Sequence, residues 1–360
     1  TLANRTIELM FDTARVEPGR RTWKLPKKQV PLDFTYEVDG RTLDAAGALE
    51  RTHTDAVLII KDGVIVHEAY LNRTDERTHF MSYSMAKSLN SIAMGIAIDR
   101  GLIGSVDEPI TRHEPRLAGT AYDGATLRDV LRMRSGSDWD DNFFAPGPAK
   151  DINEAAFIRN EARFVSAAFS TKRKHAPGEV FNYNTVDAAL IAHVVDGASG
   201  IPFSRFMSEH FWKPAGTESY GFYVLDGEPG VGKEFTGGGF NATLRDYGRI
   251  GLMMLNGGVA NGRRILSESW VKESTTAAPG SARDESGLGY AYLWWTDMTT
   301  SKAFLALGGE GQFIYVDPET RTVIVKMSHA PTGANGAAVQ REAFAFLRAA
   351  AKLNPGARGN

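Results

Sequence analysis

The chain has no cysteine, which excludes disulfides, thiolate metal sites and cysteine nucleophiles and leaves the redox compartment unmarked. Although 42% of its 360 residues are hydrophobic, no apolar run reaches the roughly 18 residues a membrane-spanning helix needs. No long basic run occurs either. Lys and Arg number 41 against 43 Asp and Glu, a formal charge of −2, so no footprint for nucleic acid or an anionic membrane surface is expected. A soluble protein of one large domain or two intergrown ones follows. Thr1 opens the chain without a signal-peptide pattern after it, so either a removed leader or a trimmed chain is expected.

Several motifs are missing or broken. There is no Gly-x-Ser-x-Gly, which removes the nucleophile elbow of an α/β-hydrolase; a Ser-His-Asp triad scattered in sequence stays open but unsupported. The histidines at 53, 67, 79, 113, 175, 193, 210 and 329 show no pair at zinc-ligand spacing with a glutamate. Gly227-Glu-Pro-Gly-Val-Gly232-Lys233 matches most of a phosphate-binding loop, but Glu234 stands where a Ser or Thr would hold magnesium.

What is present is Ser84-Met85-Ala86-Lys87. Residues three apart on a helix face each other, so this serine and lysine can act as nucleophile and proton acceptor. A serine alcohol is inert at neutral pH unless a neighbour takes its proton. The spacing alone is weak, because Ser269-Trp270-Val271-Lys272 repeats it. Context separates the two. Ala56 to Ile60 and Val64 to Tyr70 flank Lys61-Asp62-Gly63 as strand, turn and strand, and after Ser84 the residues Met85, Leu89, Ile92 and Ile96 recur at helical spacing up to Arg100-Gly101. Ser84 therefore opens a helix apolar enough to be buried, whereas Ser269 lies in a short polar helix of the surface.

Around this motif the first 45 residues, rich in charge and proline, read as an extended arm. Residues 84 to 275 are mostly helical in pattern, and strand signals return at Gly289 to Thr296, Ala303 to Leu307, Gln312 to Val316 and Thr322 to Ser328 before a helix over Ala337 to Leu353. Three regions follow: the arm at 1–45, an α/β lobe from 46–83 and 276–355 sharing one antiparallel sheet, and a mostly helical lobe at 84–275, with the site expected in the cleft between lobes. A second cluster, Pro177-Gly-Glu-Val-Phe-Asn-Tyr183-Asn184-Thr185-Val-Asp187, puts Tyr183 at a loop-to-helix junction, where it can also simply pack with its hydroxyl in water. A third, Ala306-Leu307-Gly308-Gly309-Glu310-Gly311-Gln312, is a hairpin turn or a strand that lets a substrate approach its backbone.

In this order the clusters resemble the penicillin-recognising serine hydrolases, which include class C β-lactamases, DD-peptidases, family VIII esterases and 6-aminohexanoate-dimer (nylon oligomer) hydrolases, and most of all the nylon-oligomer hydrolase and esterase branch. The resemblance runs from about residue 50 to 350. It includes Leu131-Arg-Met-Arg-Ser-Gly-Ser-Asp-Trp139, Gly237-Gly-Gly-Phe-Asn-Ala-Thr243 with Arg245-Asp246, Tyr292-Leu-Trp-Trp295, and Gly308-x-x-Gly311-Gln312 before Tyr315-Val-Asp-Pro318. It implies an α+β, β-lactamase/transpeptidase-like fold, an acyl-enzyme on Ser84, and Lys87 and Tyr183 sharing the proton. It further implies an oxyanion site from the Ser84 N–H and a strand N–H near Gly309, and no cofactor or metal. Asn241, Trp139, Phe144 and Trp295 are the implied substrate contacts, with Phe143 and Trp294 as further candidates for an apolar pocket wall or for core. The expected partner is a small ester or amide; the compartment, cytoplasm or periplasm of a bacterial-type protein, and the oligomeric state stay open. Three departures stand out. Thr185 replaces the asparagine of Tyr-x-Asn, Leu307-Gly308-Gly309 replaces a cationic Lys-Thr-Gly or His-x-Gly, and Phe143-Phe144 replaces a tyrosine after Trp139. Glu310, if it points inward, repels a substrate carboxylate. The rival readings are a true β-lactamase or DD-peptidase, and a catalytically silent binding domain on the same fold.

Overall fold

The computed structural model describes residues 3–278, 281, 287–300 and 302–354. The N-terminal segment is not extended throughout. Single helical turns at Ala3–Arg5 and Ile7–Leu9 precede strand β1 (Thr13–Val16), and a hairpin of β2 (Thr35–Val38) and β3 (Arg41–Asp44) runs into helix α1 (Ala45–Arg51). Only the proline-rich stretch between them fits the arm, with Lys28 and Val30 donating to the Ile65 and Val66 carbonyls. Strands of four mixed residues are too short to declare an alternating pattern.

The expected hairpin forms as β4 (Thr54–Lys61) and β5 (Val64–Tyr70), followed by β6 (His79–Met81). A single turn, Tyr83–Met85, then leads into α2 (Ala86–Asp99), which is buried from Ala86 to Ala97. A helix enclosed on all sides must carry small or apolar residues all round, and this one does but for Lys87 and Asn90, whose side chains find hydrogen-bond partners.

The middle of the chain adds α3 (Leu127–Leu131), α4 (Pro148–Asn153), α5 (Thr185–Ser199), α6 (Phe203–Met207) and α7 (Lys213–Ala215). It also holds strands that the sequence pattern hides: β7 (Gly221–Val224) and β8 (Phe240–Thr243), which join β1 and β6 in a four-stranded sheet of order β1-β7-β8-β6. Every residue of β7 and β8 is buried, so no polar alternation marks them. Helix α8 (Leu244–Leu255), the small hairpin of β9 (Val259–Ala260) and β10 (Arg263–Arg264), and α9 (Glu268–Ser274) complete this part.

The C-terminal strands are β11 (Leu288–Tyr290), β12 (Trp295–Asp297), β13 (Phe304–Gly308), β14 (Gln312–Asp317) and β15 (Thr322–Ser328), followed by α10 (Ala334–Ala350). The run read as one strand over 289–296 is thus two, folded back at Leu293, whose φ is +57°. The Leu293 N–H donates to the Leu131 carbonyl and its own carbonyl accepts from Ser88 Oγ, so tertiary bonds fix the reversal. These strands and the first hairpin make one seven-stranded antiparallel sheet, β11-β12-β13-β14-β15-β4-β5, in which Ile324 of β15 lies opposite Ile59 of β4. Helix α8, counted with the helical middle by composition, lies on this sheet. A Cβ at its Gly248 or Gly251 would sit 2.6 Å from Leu58 or 2.4 Å from Val323, so only glycine allows the approach. The other face packs Val57, Ile59, Tyr315 and Ile324 against α1 and α10 through Ala48, Phe346 and Leu347. No single helix among the described residues is long and apolar enough to cross a membrane.

Candidate active site

Ser84 lies in the turn between β6 and α2, half-buried, at the start of a buried helix. Lys87, one turn on, is only 2% exposed. Its Nζ donates to Ser84 Oγ at 2.9 Å and to the Gly237 carbonyl at 2.8 Å, and it lies 5.0 Å from the centre of the Tyr183 ring. None of the ion pairs among the described residues involves Lys87. The helix sets the serine and lysine three apart, and burial denies the lysine the water it would otherwise reach for.

Tyr183 directly precedes the N-cap of α5. Asn184 is that cap, accepting from the Val186 and Asp187 N–H groups, and its Nδ2 donates to Ser137 Oγ and Asp187 Oδ1. Asp187 also accepts from Tyr122 Oη at 2.8 Å, and burial pushes its carboxyl up to about 8. Thr185, where the resemblance calls for asparagine, donates its N–H and Oγ1 to the Asp141 carboxylate, which also accepts from Trp139 Nε1 at 2.7 Å. The loop after α3 is thereby tied to the start of α5. Above Tyr183, Trp295 stacks at 5.7 Å between ring centres with an interplanar angle of 21°.

The third cluster reaches the nucleophile from β13. A Cβ on Gly308 would lie 2.2 Å from the Ser82 carbonyl oxygen, so glycine is required for the strand to pass this close to the Ser84 turn. Gln312 fixes the far side, exchanging hydrogen bonds with the Ser328 backbone at 2.8 and 3.0 Å. A cavity of about 440 Å³ opens here, lined by Ser84, Tyr183, Trp295, Leu307, Gly308, Gly309 and Glu310 and extending under α10 to Lys326.

The structure thus brings Ser84, Lys87, Tyr183, Gly309 and Trp295 together. The other implied contacts lie elsewhere. Phe144 is 90% exposed on a loop and lines none of this cavity; Asn241 is buried in β8 opposite Met81, donating to the Gly239 carbonyl. Trp139 borders a separate depression on the far side of Tyr183, Phe143 stacks on Phe164, and Trp294 is core. Of the shared motifs, Arg245 and Asp246 serve the scaffold. Asp246 donates its N–H to Thr243, the cap of α8, and its carboxylate pairs with Arg249 at 2.8 Å, while Arg245, with Lys27 and Tyr70, outweighs the burial of Glu68 and holds its carboxyl down to about 2.

Sequence reasoning missed Lys326. It sits in β15 with no exposed surface, donating to the Thr52 carbonyl at 3.0 Å and to Ser328 Oγ, and burial lowers its amine to about 7. A lysine inside Thr322-Val-Ile-Val-Lys-Met-Ser328 was the available signal, since a strand apolar on both faces has no wet side for it.

A serine and lysine in contact at the head of a buried helix, set beside strand β13 of a seven-stranded antiparallel sheet, define the β-lactamase/transpeptidase-like class of fold. The family model described as Beta-lactamase matches residues 41–347, and the chain belongs to that family of hydrolases. It is 28% identical over 313 residues to the 6-aminohexanoate-dimer hydrolase of Paenarthrobacter ureafaciens, covering 81% of this chain and 76% of that protein. A Bacillus anthracis protein proposed to be a 6-aminohexanoate-dimer hydrolase superimposes with a TM-score of 0.83 at 22% identity, over 97% of this chain and 93% of its own. A family VIII carboxylesterase superimposes with a TM-score of 0.62 at 16% identity, over 84% of this chain and 96% of that one. These two likenesses concern the fold.

Proposed function

We propose that the protein is a serine hydrolase that forms an acyl-enzyme on Ser84 and hydrolyses carboxylic esters and small amides, with its site in the cleft between the sheet and the helical layer. The observation that carries this reading is the 2.9 Å contact of Lys87 Nζ with Ser84 Oγ at the wall of a cavity that Tyr183 also lines. Ser84 Oγ attacks the substrate carbonyl while its proton passes to the unit formed by Lys87 and Tyr183. The two share one proton path, so neither alone is assigned as base. The oxyanion is met by the Ser84 N–H, which belongs to the opening turn of the helix and has no carbonyl one turn back to bond, and by the Gly309 N–H. The same unit returns the proton to the departing alcohol or amine, and water then repeats the sequence on the ester of Ser84.

A β-lactamase or DD-peptidase reading has one feature in its favour: Lys326 at the deep end of the cavity is a candidate partner for a substrate carboxylate. Its amine is already occupied by Thr52 and Ser328, and the half-buried Glu310 carboxylate is the more accessible charge. Turnover of p-nitrophenyl acetate and butyrate, a short amide oligomer and a chromogenic cephalosporin, with wild type and Ser84→Ala at equal concentration, tests the proposal. Esters are expected to exceed the cephalosporin in kcat/KM, and Ser84→Ala to be inactive on all of them. A cephalosporin rate equal to or above the ester rates would replace the ester reading with the β-lactamase one.

A further inference from the structure

Two residues beside the proposed oxyanion site hold backbone conformations that ordinary side chains avoid. Tyr83, immediately before Ser84, has φ +46°, and Glu310, immediately after Gly309, has φ +58°. For a bulky residue such as tyrosine this region is a true outlier and persists only where the surroundings impose it. Here the surroundings are each other. Tyr83 Oη, with one proton to give, lies 2.9 Å from Glu310 Oε1 and 3.1 Å from Asn4 Oδ1, and Asn4 Nδ2 donates to Glu310 Oε2 at 2.8 Å, so the carboxylate gathers the other two side chains. The Tyr83 ring also lies against the turn that follows β13, 3.7 Å from where a Gly309 Cβ would be. Asn4 is itself fixed, because the next residue, Arg5, pairs with Asp55 at 2.6 Å with both side chains largely buried.

We infer that Asn4, Tyr83 and Glu310 form a clamp that sets the spacing and direction of the Ser84 and Gly309 N–H groups, so that a turn near the N-terminus is part of the active site. The inference rests on the serine-hydrolase reading. The three are positioning residues: they hold the peptide units that meet the oxyanion and do not touch the reacting atoms. Burial and the adjacent Glu310 carboxylate both raise the Tyr83 phenol, so it stays a hydrogen-bond donor. Glu310, whose carboxylate accepts from both partners, is thereby committed to the clamp.

The test uses Asn4→Ala, Tyr83→Phe, Glu310→Ala and Glu310→Gln in the full chain, with burst kinetics on p-nitrophenyl acetate and amide hydrogen exchange of the peptides spanning 80–86 and 306–312. Acylation and deacylation both pass through an oxyanion, so Tyr83→Phe and Glu310→Ala are expected to slow both steps about tenfold or more, with KM for acylation nearly unchanged. Exchange in both peptides should quicken, and the Tyr83→Phe/Glu310→Ala double variant should be little worse than the poorer single one. Glu310→Gln, which keeps an acceptor for Tyr83, should recover most of the rate, a rescue that a merely structural carboxylate would not give. Asn4→Ala, on a partly exposed turn, keeps the test open if either of the other sites fails to fold. Wild-type acylation and exchange in Tyr83→Phe and Asn4→Ala would overturn the clamp alone. A wild-type chain that takes no acyl group on Ser84 would overturn the hydrolase reading, and the clamp's catalytic purpose with it.

Discussion

The chain carries the same tetrapeptide pattern twice, and the two copies end in opposite environments. Ser84 and Lys87 sit at the head of α2, with the lysine 2% exposed and bonded to the serine at 2.9 Å. Ser269 and Lys272 lie on α9, both exposed, and no hydrogen bond joins them among the described residues. There the cap is Ser267, and the buried residues are Trp270, Val271 and Ser274, of which Trp270 packs against Gly95 of α2. Helical spacing permits contact in both places. It is enforced only where the lysine has no water to reach, and where a strand and a tyrosine close the space around its amine.

The contrast breaks most visibly by mutation. Ser84→Ala should lower kcat by several orders of magnitude with little change in melting temperature, and Ser269→Ala should leave both unchanged; an equal loss in the two variants would erase the distinction between the copies. Next in size, Lys87→Ala and Tyr183→Phe should each cost about 10²- to 10⁴-fold in kcat. The double variant should be little worse than the poorer single one, since parts of one proton relay do not multiply. Losses that multiply would show two separate roles. A smaller effect is expected at the tie behind the tyrosine. Thr185→Val removes the 2.7 Å bond to Asp141 at nearly constant volume and should cost about 1 kcal/mol of stability, with a fall in kcat of about tenfold and no change in KM. Unchanged kcat would mean that the tie serves stability only.

Lys326 sharpens the comparison by being as buried as Lys87 without a reacting serine in the cleft. Its amine titrates near 7 in the folded protein against an ordinary 10.5, so between those values the unfolded chain holds more protons and stability rises with pH. Lys326→Met should gain most over wild type below pH 7, and the gain should shrink as pH climbs toward 10. Urea unfolding at pH 7 and pH 9.5 measures the difference; a gain independent of pH would mean that the lysine is not titrating there.

Much of this was legible in the sequence because it lies in long, one-sided patterns. The β4–β5 hairpin, the buried helix after Ser84 and the strands from Phe304 to Ser328 declare themselves by period and turn residues. What stayed hidden is short or enclosed. β7 and β8 have four residues each with no wet face, and the reversal at Leu293 depends on bonds to Leu131 and Ser88 far away in sequence. At the site, Ser84, Lys87, Tyr183 and Trp295 were named from motifs, whereas Asn4 and Glu310, 306 positions apart, meet only through the fold. Phe144 and Asn241 were named from the same motifs and lie outside the cavity, because a shared segment fixes a backbone path more closely than the direction of each side chain.

The most direct measurement is the intact mass of wild type and Ser84→Ala after brief exposure to an activated ester and acid quench, followed by peptide mapping. One acyl group on the peptide containing Ser84, absent from Ser84→Ala, is the expected result. An adduct of equal yield in Ser84→Ala, or one that maps to Ser269, would contradict the assignment of the nucleophile.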